Sequence, residues 1–347
     1  MDLPAEDGPR QQNLTGPEFD LIPLYDVQAA DIVAGLAEFD VARWLSRVPF
    51  PYGLDDARAY QEGFGGADSS IRAIVVEGQF AGIIGIKPDL GYWLAKPFWG
   101  RGLATAAAQR LLADHFFNAQ EPIISGHFAG NAASAKVLAK LGFVYTHQET
   151  VIPLSTDIET VVERMSLDRG DWWAAQGLPV RTARLCLRPM TVRDAPDFHA
   201  LVTRPEVARM LFIFAVDWPE AAAAPFLYDV RWQSRPGFRF AIELRGVWVG
   251  WIGCSEDAEP EVFYALRPEF AGKGIAQEAL GAFASFLFDR FGLIALHAGV
   301  FTDNPASARV LAACGFERVG ETIGASKGRV APALEWRFRL DRAVLPL

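Results

Sequence analysis

Sulfur and imidazole are scarce in this chain, which has three cysteines and five histidines among 347 residues. Cys186, Cys254 and Cys314 are odd in number, far apart and without CxxC spacing. That excludes a disulfide framework, a zinc site and a dithiol redox motif, and leaves three ordinary core residues suited to a reducing compartment. His115, His127, His147, His199 and His297 are scattered, so no metal is expected and the histidines read as structural. Apolar runs of the ~18 residues needed to span a bilayer are also missing. The opening MDLPAEDGPRQQNLTGP lacks the basic start and apolar stretch of a signal peptide. The expected location is cytoplasmic, with no membrane partner. Basic residues are outnumbered, 33 to 42, for a net charge of -9. Nucleic acid is therefore not an expected partner, whereas an acidic surface suits a cationic amine.

What the chain does have is apolar content, 51% hydrophobic against 22% charged, enough to bury a core. Its length exceeds what one core usually organises, so two domains are expected. An internal repeat supplies them. DLGYWLAKPFWGRGLATAAAQRLL, from Asp89, aligns without a gap on EVFYALRPEFAGKGIAQEALGAFA, from Glu261. Further on, NAASAKVLAKLGF from Asn131 matches NPASARVLAACGF from Asn304, with one extra residue in the second copy. Upstream, each copy has two β-rich runs split by a turn, at Glu77-Gly78 and at Arg245-Gly246, which read as hairpins. The order is hairpin, strand, glycine turn, helix, strand, second helix and a Gly-Phe step into another strand. That is α+β rather than strict βαβ alternation. The domain limits so expected are a mobile tail at 1–16, a first domain at 17–168, a linker at 169–181 and a second domain at 182–347. In the linker, Trp172 and Trp173 are too apolar for water and are expected to pack it onto a domain.

Gly100-Arg101-Gly102-Leu103-Ala104 and Gly272-Lys273-Gly274-Ile275-Ala276 each end a strand and open an alanine-rich helix. Glycine there permits positive φ and close backbone approach, and the helix N-terminus favours an anion such as a pyrophosphate. Arg101 and Lys273 add a cation. A bare GxG is equally a simple strand-to-helix turn. Thr105 and Gln277 stand where a dinucleotide-binding GxGxxG has its third glycine, and GK[ST] is absent, so Rossmann and Walker readings fail. Beyond the turns, Leu103, Ala107 and Leu111, with Ile275, Ala279 and Phe283, fall on one helical face and read as core. Asn131 and Asn304 are good helix N-caps, yet capping does not explain Ser134 and Ser307 three residues after both.

Strand, glycine turn, helix, strand, N-x-x-S helix and Gly-Phe in this order resemble the GCN5-related N-acetyltransferases (GNAT), in details the RimJ/RimL branch. Trp99-Gly100-Arg101-Gly102-Leu103-Ala104-Thr105 is similar to that branch's WGKG-x-AT. Arg184-Leu185-Cys186-Leu187-Arg188-Pro189 looks like its opening strand, and Val48-Pro49-Phe50-Pro51-Tyr52 like one of its loops. The resemblance implies two tandem GNAT domains, each a mixed, mostly antiparallel twisted sheet flanked by helices, with a splayed central strand pair holding acyl-CoA. It implies acetyl-CoA as cofactor, held by Leu94, Gly100, Arg101, Gly102, Leu103, Ala104, Thr105, Asn131 and Ser134 in the first copy. In the second the set is Leu266, Gly272, Lys273, Gly274, Ile275, Ala276, Gln277, Asn304 and Ser307. By the same resemblance Ser134 and Ser307 protonate the departing thiolate. The tyrosine acid frequent in the family is replaced by Leu138 and Leu311.

An amine attacks only when unprotonated, so a base is needed. Asp89 and Glu261 align with each other and with an acidic residue of the branch beside the expected acyl position, and are the candidate bases; solvated strand residues are the alternative. The expected activity is N-acetyl transfer in a ternary complex to a primary amine, either a protein or peptide N-terminus or a small amine such as an aminoglycoside or a polyamine. The rival is an acyl-CoA-binding regulatory protein with one or both copies non-catalytic. The opening strand Phe19-Asp20-Leu21-Ile22-Pro23 lacks the Arg-Pro pair of the second copy, which makes the second copy the more typical enzyme. An internal pseudo-dimer is expected, in a monomer or a homodimer.

Overall fold

The computed structural model describes residues 17–64 and 70–344, so the tail expected at 1–16 lies outside the described residues. The first half runs β1 (Asp20–Pro23), α1 (Ala29–Leu36), α2 (Phe39–Ala42), α3 (Leu54–Phe64), β2 (Arg72–Val76), β3 (Gln79–Ile86) and β4 (Leu90–Leu94). It continues with α4 (Leu103–Asn118), β5 (Ile123–Phe128), α5 (Ala132–Leu141), β6 (Val144–Val151) and β7 (Thr160–Leu167). After α6 (Arg169–Ala174) and β8 (Val180–Arg181) the plan repeats. It gives β9 (Leu185–Pro189), α7 (Ala195–Val202), α8 (Pro205–Ala208), α9 (Ala223–Asp229), β10 (Arg239–Leu244), β11 (Val247–Cys254) and β12 (Val262–Leu266). Last come α10 (Ile275–Phe291), β13 (Ala295–Phe301), α11 (Pro305–Ala313), β14 (Glu317–Gly324) and β15 (Ala333–Asp341).

Each half splits its strands into two antiparallel sheets. The first has β1-β2-β3-β4 and β5-β7-β6; the second has β12-β11-β10-β9-β8 and β13-β15-β14. Both expected hairpins form, and Glu77, Gly78, Arg245 and Gly246 all take positive φ, the requirement of the tight turn whose twist suits a hairpin. Each hairpin carries a bulge, at Ile74/Val75 and at Ile242/Glu243. Opposite it a glycine lies against the next strand: a Cβ on Gly82 would sit 2.1 Å from the Trp93 carbonyl, and one on Gly250 2.2 Å from that of Ala265. A bulge bends and twists a strand, and a missing side chain lets the neighbour settle onto it. Together they turn β4 and β12 away from β5 and β13.

The helical faces read from the sequence are the buried ones. Leu103, Ala107 and Leu111 on α4, and Ile275, Ala279 and Phe283 on α10, are all buried. They belong to one cluster that runs from Ile74 and Ile84 through α4 to Phe240 and Leu287, so the two halves share apolar interior. Residues expected as linker are tied down. Asp168 caps α6 by accepting from the Asp171 N–H at 2.8 Å, Trp172 packs on Phe116 at 5.4 Å between rings, and β8 pairs with β9. Other contacts cross between halves. Arg231 pairs with Asp114 and Phe117 meets Tyr228 edge-on, while the Trp232 indole ties the second half to the segment between them by donating to Gln176 Oε1 at 2.8 Å.

Candidate active site

β4 and β5 touch where they begin and part where they end. Buried Ser125 donates from Oγ to the Leu90 carbonyl at 2.8 Å and fixes the closed end of the V. In the second half the His297 N–H donates to the Pro260 carbonyl at 2.9 Å, beside a single parallel bridge between Glu261 and His297. Beyond these ties the strands diverge around a cavity of about 530 Å³ in the first half and about 710 Å³ in the second. Tyr92, Leu94, the glycine turn, Asn131 and Ser134 line the first cavity; Tyr264, Leu266, the second turn, Asn304 and Ser307 line the other.

The turns are built as the sequence implies. Gly100, Gly102, Gly272 and Gly274 have φ between 72° and 76°, so each is in the left-handed region that glycine occupies without strain. Gly102 and Gly274 are the N-caps of α4 and α10, and no side chain caps either helix. The first N–H groups of a helix, here those of Leu103, Ala104 and Thr105 and of Ile275, Ala276 and Gln277, have no partner inside it. Space in front of the glycines is open, with nothing within 4 Å of a Cβ on Gly100, Gly102 or Gly272. The side chains of the two basic residues lean on neighbouring aromatic rings. Arg101 stacks over Phe98, and Lys273 donates to the Glu269 carbonyl at 2.8 Å while lying over Phe270. A cation that sequence reading missed stands at the second turn. Arg184 reaches the Lys273 carbonyl at 3.0 Å and pairs with Glu278 at 2.6 Å. In the first turn the Trp99 indole donates to the Leu94 carbonyl at 2.7 Å, a bond that Ala271 cannot make in the second.

Asn131 and Asn304 cap α5 and α11. Their Oδ1 atoms accept from the N–H of Ser134 at 3.1 Å and of Ser307 at 3.2 Å. With Oδ1 so engaged, the amide NH₂ is the end of each side chain with donors to offer. Each serine hydroxyl bonds a tyrosine from the facing strand, Ser134 with Tyr92 and Ser307 with Tyr264, both at 2.8 Å. Burial pushes both phenols up to about 12, so they stay protonated across the working range. Leu138 and Leu311, where sequence reading looked for a tyrosine, are core residues. The phenols come instead from β4 and β12, a pairing signalled only by the recurrence of tyrosine and serine at matching repeat positions.

Asp89 and Glu261 stand one residue before β4 and β12, and each meets an arginine of the other sheet. Arg164 of β7 holds Asp89 at 2.5 Å, with Glu149 farther off at 3.7 Å. Arg337 of β15 holds Glu261 at 3.0 Å. Among the described residues no group of three or more His, Cys, Asp or Glu side chains could hold a metal, and no helix is long and apolar enough to cross a membrane.

Fold and cleft thus define a mixed α+β protein with two equivalent split-sheet sites, each offering backbone donors at a helix start, paired hydroxyls and an arginine-held carboxylate. An acetyltransferase (GNAT) domain model matches the chain twice, over residues 20–144 and 184–317, and the protein belongs to that family. A relative in Bacillus subtilis (strain 168), the uncharacterized N-acetyltransferase YoaA, is 32% identical over 148 residues, covering 41% of this chain and 84% of its own. Among solved structures, Mycobacterium smegmatis RimJ in complex with CoA-disulfide is 21% identical, with a TM-score of 0.42 over 47% of this chain and 84% of its own. Spermidine N-acetyltransferase from Vibrio cholerae, in complex with CoA and spermine, is 18% identical, with a TM-score of 0.41 over 47% of this chain and 98% of its own.

Proposed function

We propose that the chain transfers an acetyl group from acetyl-CoA to a primary amine, with residues 17–168 and 182–347 as two acetyl-transfer units fused into an internal pseudo-dimer. The observation that carries the reading is the repetition of a whole constellation, not of a motif. Both clefts have an open αL glycine turn, a Tyr–Ser hydroxyl pair across the V and a carboxylate at its closed end. Acetyl-CoA, when bound, supplies an activated acyl carbon and a thiolate leaving group. The amides after Gly102 and Gly274 would receive its pyrophosphate, and Leu94 and Leu266 would run beside its pantetheine arm. Glu261 takes the proton that an ammonium acceptor must lose before it can attack. Ser307, backed by the Tyr264 phenol, holds a proton for the departing thiolate, as Ser134 and Tyr92 do in the first cleft.

One observation favours a weaker first cleft. Asp89 is a methylene shorter than Glu261 and is drawn to Arg164 at 2.5 Å. Acyl-CoA binding without turnover fits that half better than the other. The test is release of free thiol from acetyl-CoA against panels of peptides and small amines, with Gly102→Asp and Gly274→Asp silencing one cleft at a time. Transfer that persists with both turns blocked would reject the proposal.

A further inference from the structure

At one buried position the two clefts differ in charge. Glu335, 2% exposed, pairs in register with Phe301 on β13, while the equivalent partner of Phe128 on β5 is Val162. The register also makes Arg337, opposite Gly299, the counterpart of Arg164, opposite Gly126. A Cβ on Gly126 would meet Val162 Cγ1 at 3.0 Å; one on Gly299 would meet Glu335 Oε1 at 1.9 Å, Arg337 at 2.8 Å and Glu261 Oε1 at 2.9 Å. The missing side chain of Gly299, which lines the second cavity, is thus the space in which three charged groups meet.

The arginine is shared unequally. Arg337 donates through one nitrogen to Glu335 at 2.7 Å and to Glu261 at 3.0 Å. Burial pulls its guanidinium down, and Glu335 and Glu261 more than reverse that pull. The other charges around Glu261 are spoken for. Arg339 and His297 both bond Glu259, with Arg339 also on Asp341, and Arg209 and Arg329, on the side of Phe301, are both committed to Asp303. Arg337 is therefore the cation that Glu261 and Glu335 share.

We infer that Glu335 is a positioning residue that absorbs the charge of Arg337 and so leaves Glu261 able to act as the proton acceptor of the second cleft. The inference rests on reading Glu261 as the base. Two carboxylates on one guanidinium carry a net negative charge, which opposes a second ionisation; Glu335 takes the shorter bond to Arg337, so Glu261, the one that solvent reaches, is the carboxylate left to accept a proton. One proton moves, from the acceptor's ammonium to a Glu261 oxygen, and returns to solvent after the acetyl group has left. In the first cleft Val162 offers no such counter-charge, and the second carboxylate on Arg164 is the more exposed and more distant Glu149, at 3.7 Å, so Asp89 at 2.5 Å takes the larger share of the guanidinium.

The test is to titrate Glu261 directly in the full chain, using ¹³C-carboxyl glutamate and assigning its signal by loss in Glu261→Gln. Glu335→Gln and Glu335→Val should lower the Glu261 midpoint by about one pH unit. With the first cleft silenced by Gly102→Asp, the acidic limb of kcat/KM should move down with it, and the plateau should fall roughly tenfold as the base weakens. Acetyl-CoA affinity should hold, and Glu335→Asp should restore both midpoint and limb. An unmoved Glu261 midpoint in folded Glu335→Gln overturns the inference. If that variant does not fold, Val162→Glu provides the reciprocal measurement: the midpoint of Asp89 should rise, and an unmoved one overturns the inference equally. A midpoint that moves in a chain that transfers nothing supports the charge-sharing and rejects Glu261 as the base.

Discussion

At the scale of single residues, the cleft hydroxyls come in pairs whose partners are far apart in sequence, Tyr92 with Ser134 and Tyr264 with Ser307. Their phenols, pushed up to about 12 by burial against an ordinary value near 10, give a sign that can be checked. The folded chain keeps protons that the unfolded chain gives up, so the contribution to stability is complete below pH ~10 and is lost as pH rises toward ~12. Melting temperature should drop over that alkaline window, and less steeply in Tyr92→Phe/Tyr264→Phe. For transfer, Ser307→Ala with Tyr264→Phe should lower kcat by ~10- to 100-fold while leaving acetyl-CoA affinity within a few fold, as loss of a general acid does. Serines and caps were legible because each sits in a short local pattern. The tyrosines' role was not, since it arises only when β4 and α5, or β12 and α11, face each other across a cavity. Nor could a one-dimensional reading show that Arg101 and Lys273 fold back onto aromatic rings, or that Arg184 lies at the second turn.

At the scale of elements, glycine decides both the turn and the splay. Gly102→Asp and Gly274→Asp place a negative side chain where backbone donors face outward, so calorimetry should show loss of acetyl-CoA binding in the altered cleft. Nothing lies within 4 Å of a Cβ on Gly102, so the Asp there should fold, with only the cost of a non-glycine residue in αL, about 1–2 kcal/mol. Gly82→Ala is the opposite case. Its added methyl would fall 2.1 Å from the Trp93 carbonyl, and backbone must move to admit it. A loss of about 2–4 kcal/mol is expected, read as a lower denaturant midpoint. Turns, hairpins and helical faces were readable because period and turn chemistry are local. The splay of the central strands came only from the family resemblance and not from the residues, because it depends on a bulge and a glycine meeting the carbonyl of a neighbouring strand.

At the scale of the whole molecule, the repeat foretold two copies and the tryptophan pair foretold that the segment between them packs on a domain, but neither showed that this segment forms a helix and a strand. Residues expected as a linker form α6 and β8, which seat Trp172 on Phe116 and extend the second half's sheet. Across the same region Asp114 meets Arg231, whose side chain is only 9% exposed. Asp114→Ala leaves that guanidinium buried without its carboxylate and should cost about 3 kcal/mol, seen as a fall in melting temperature; Arg231→Met added to it should recover much of the loss. If the single change is silent, the pair contributes nothing to joining the halves. The contact is also not self-complementary. The position on α10 that aligns with Asp114 is Phe286, so no second copy of this ion pair exists. In a dimer of identical subunits every substitution appears twice, and a carboxylate such as Glu335 could not enter one cleft without entering the other. Covalent fusion removes that doubling, and each half became free to drift in chemistry while its twin held the shape of the shared interior.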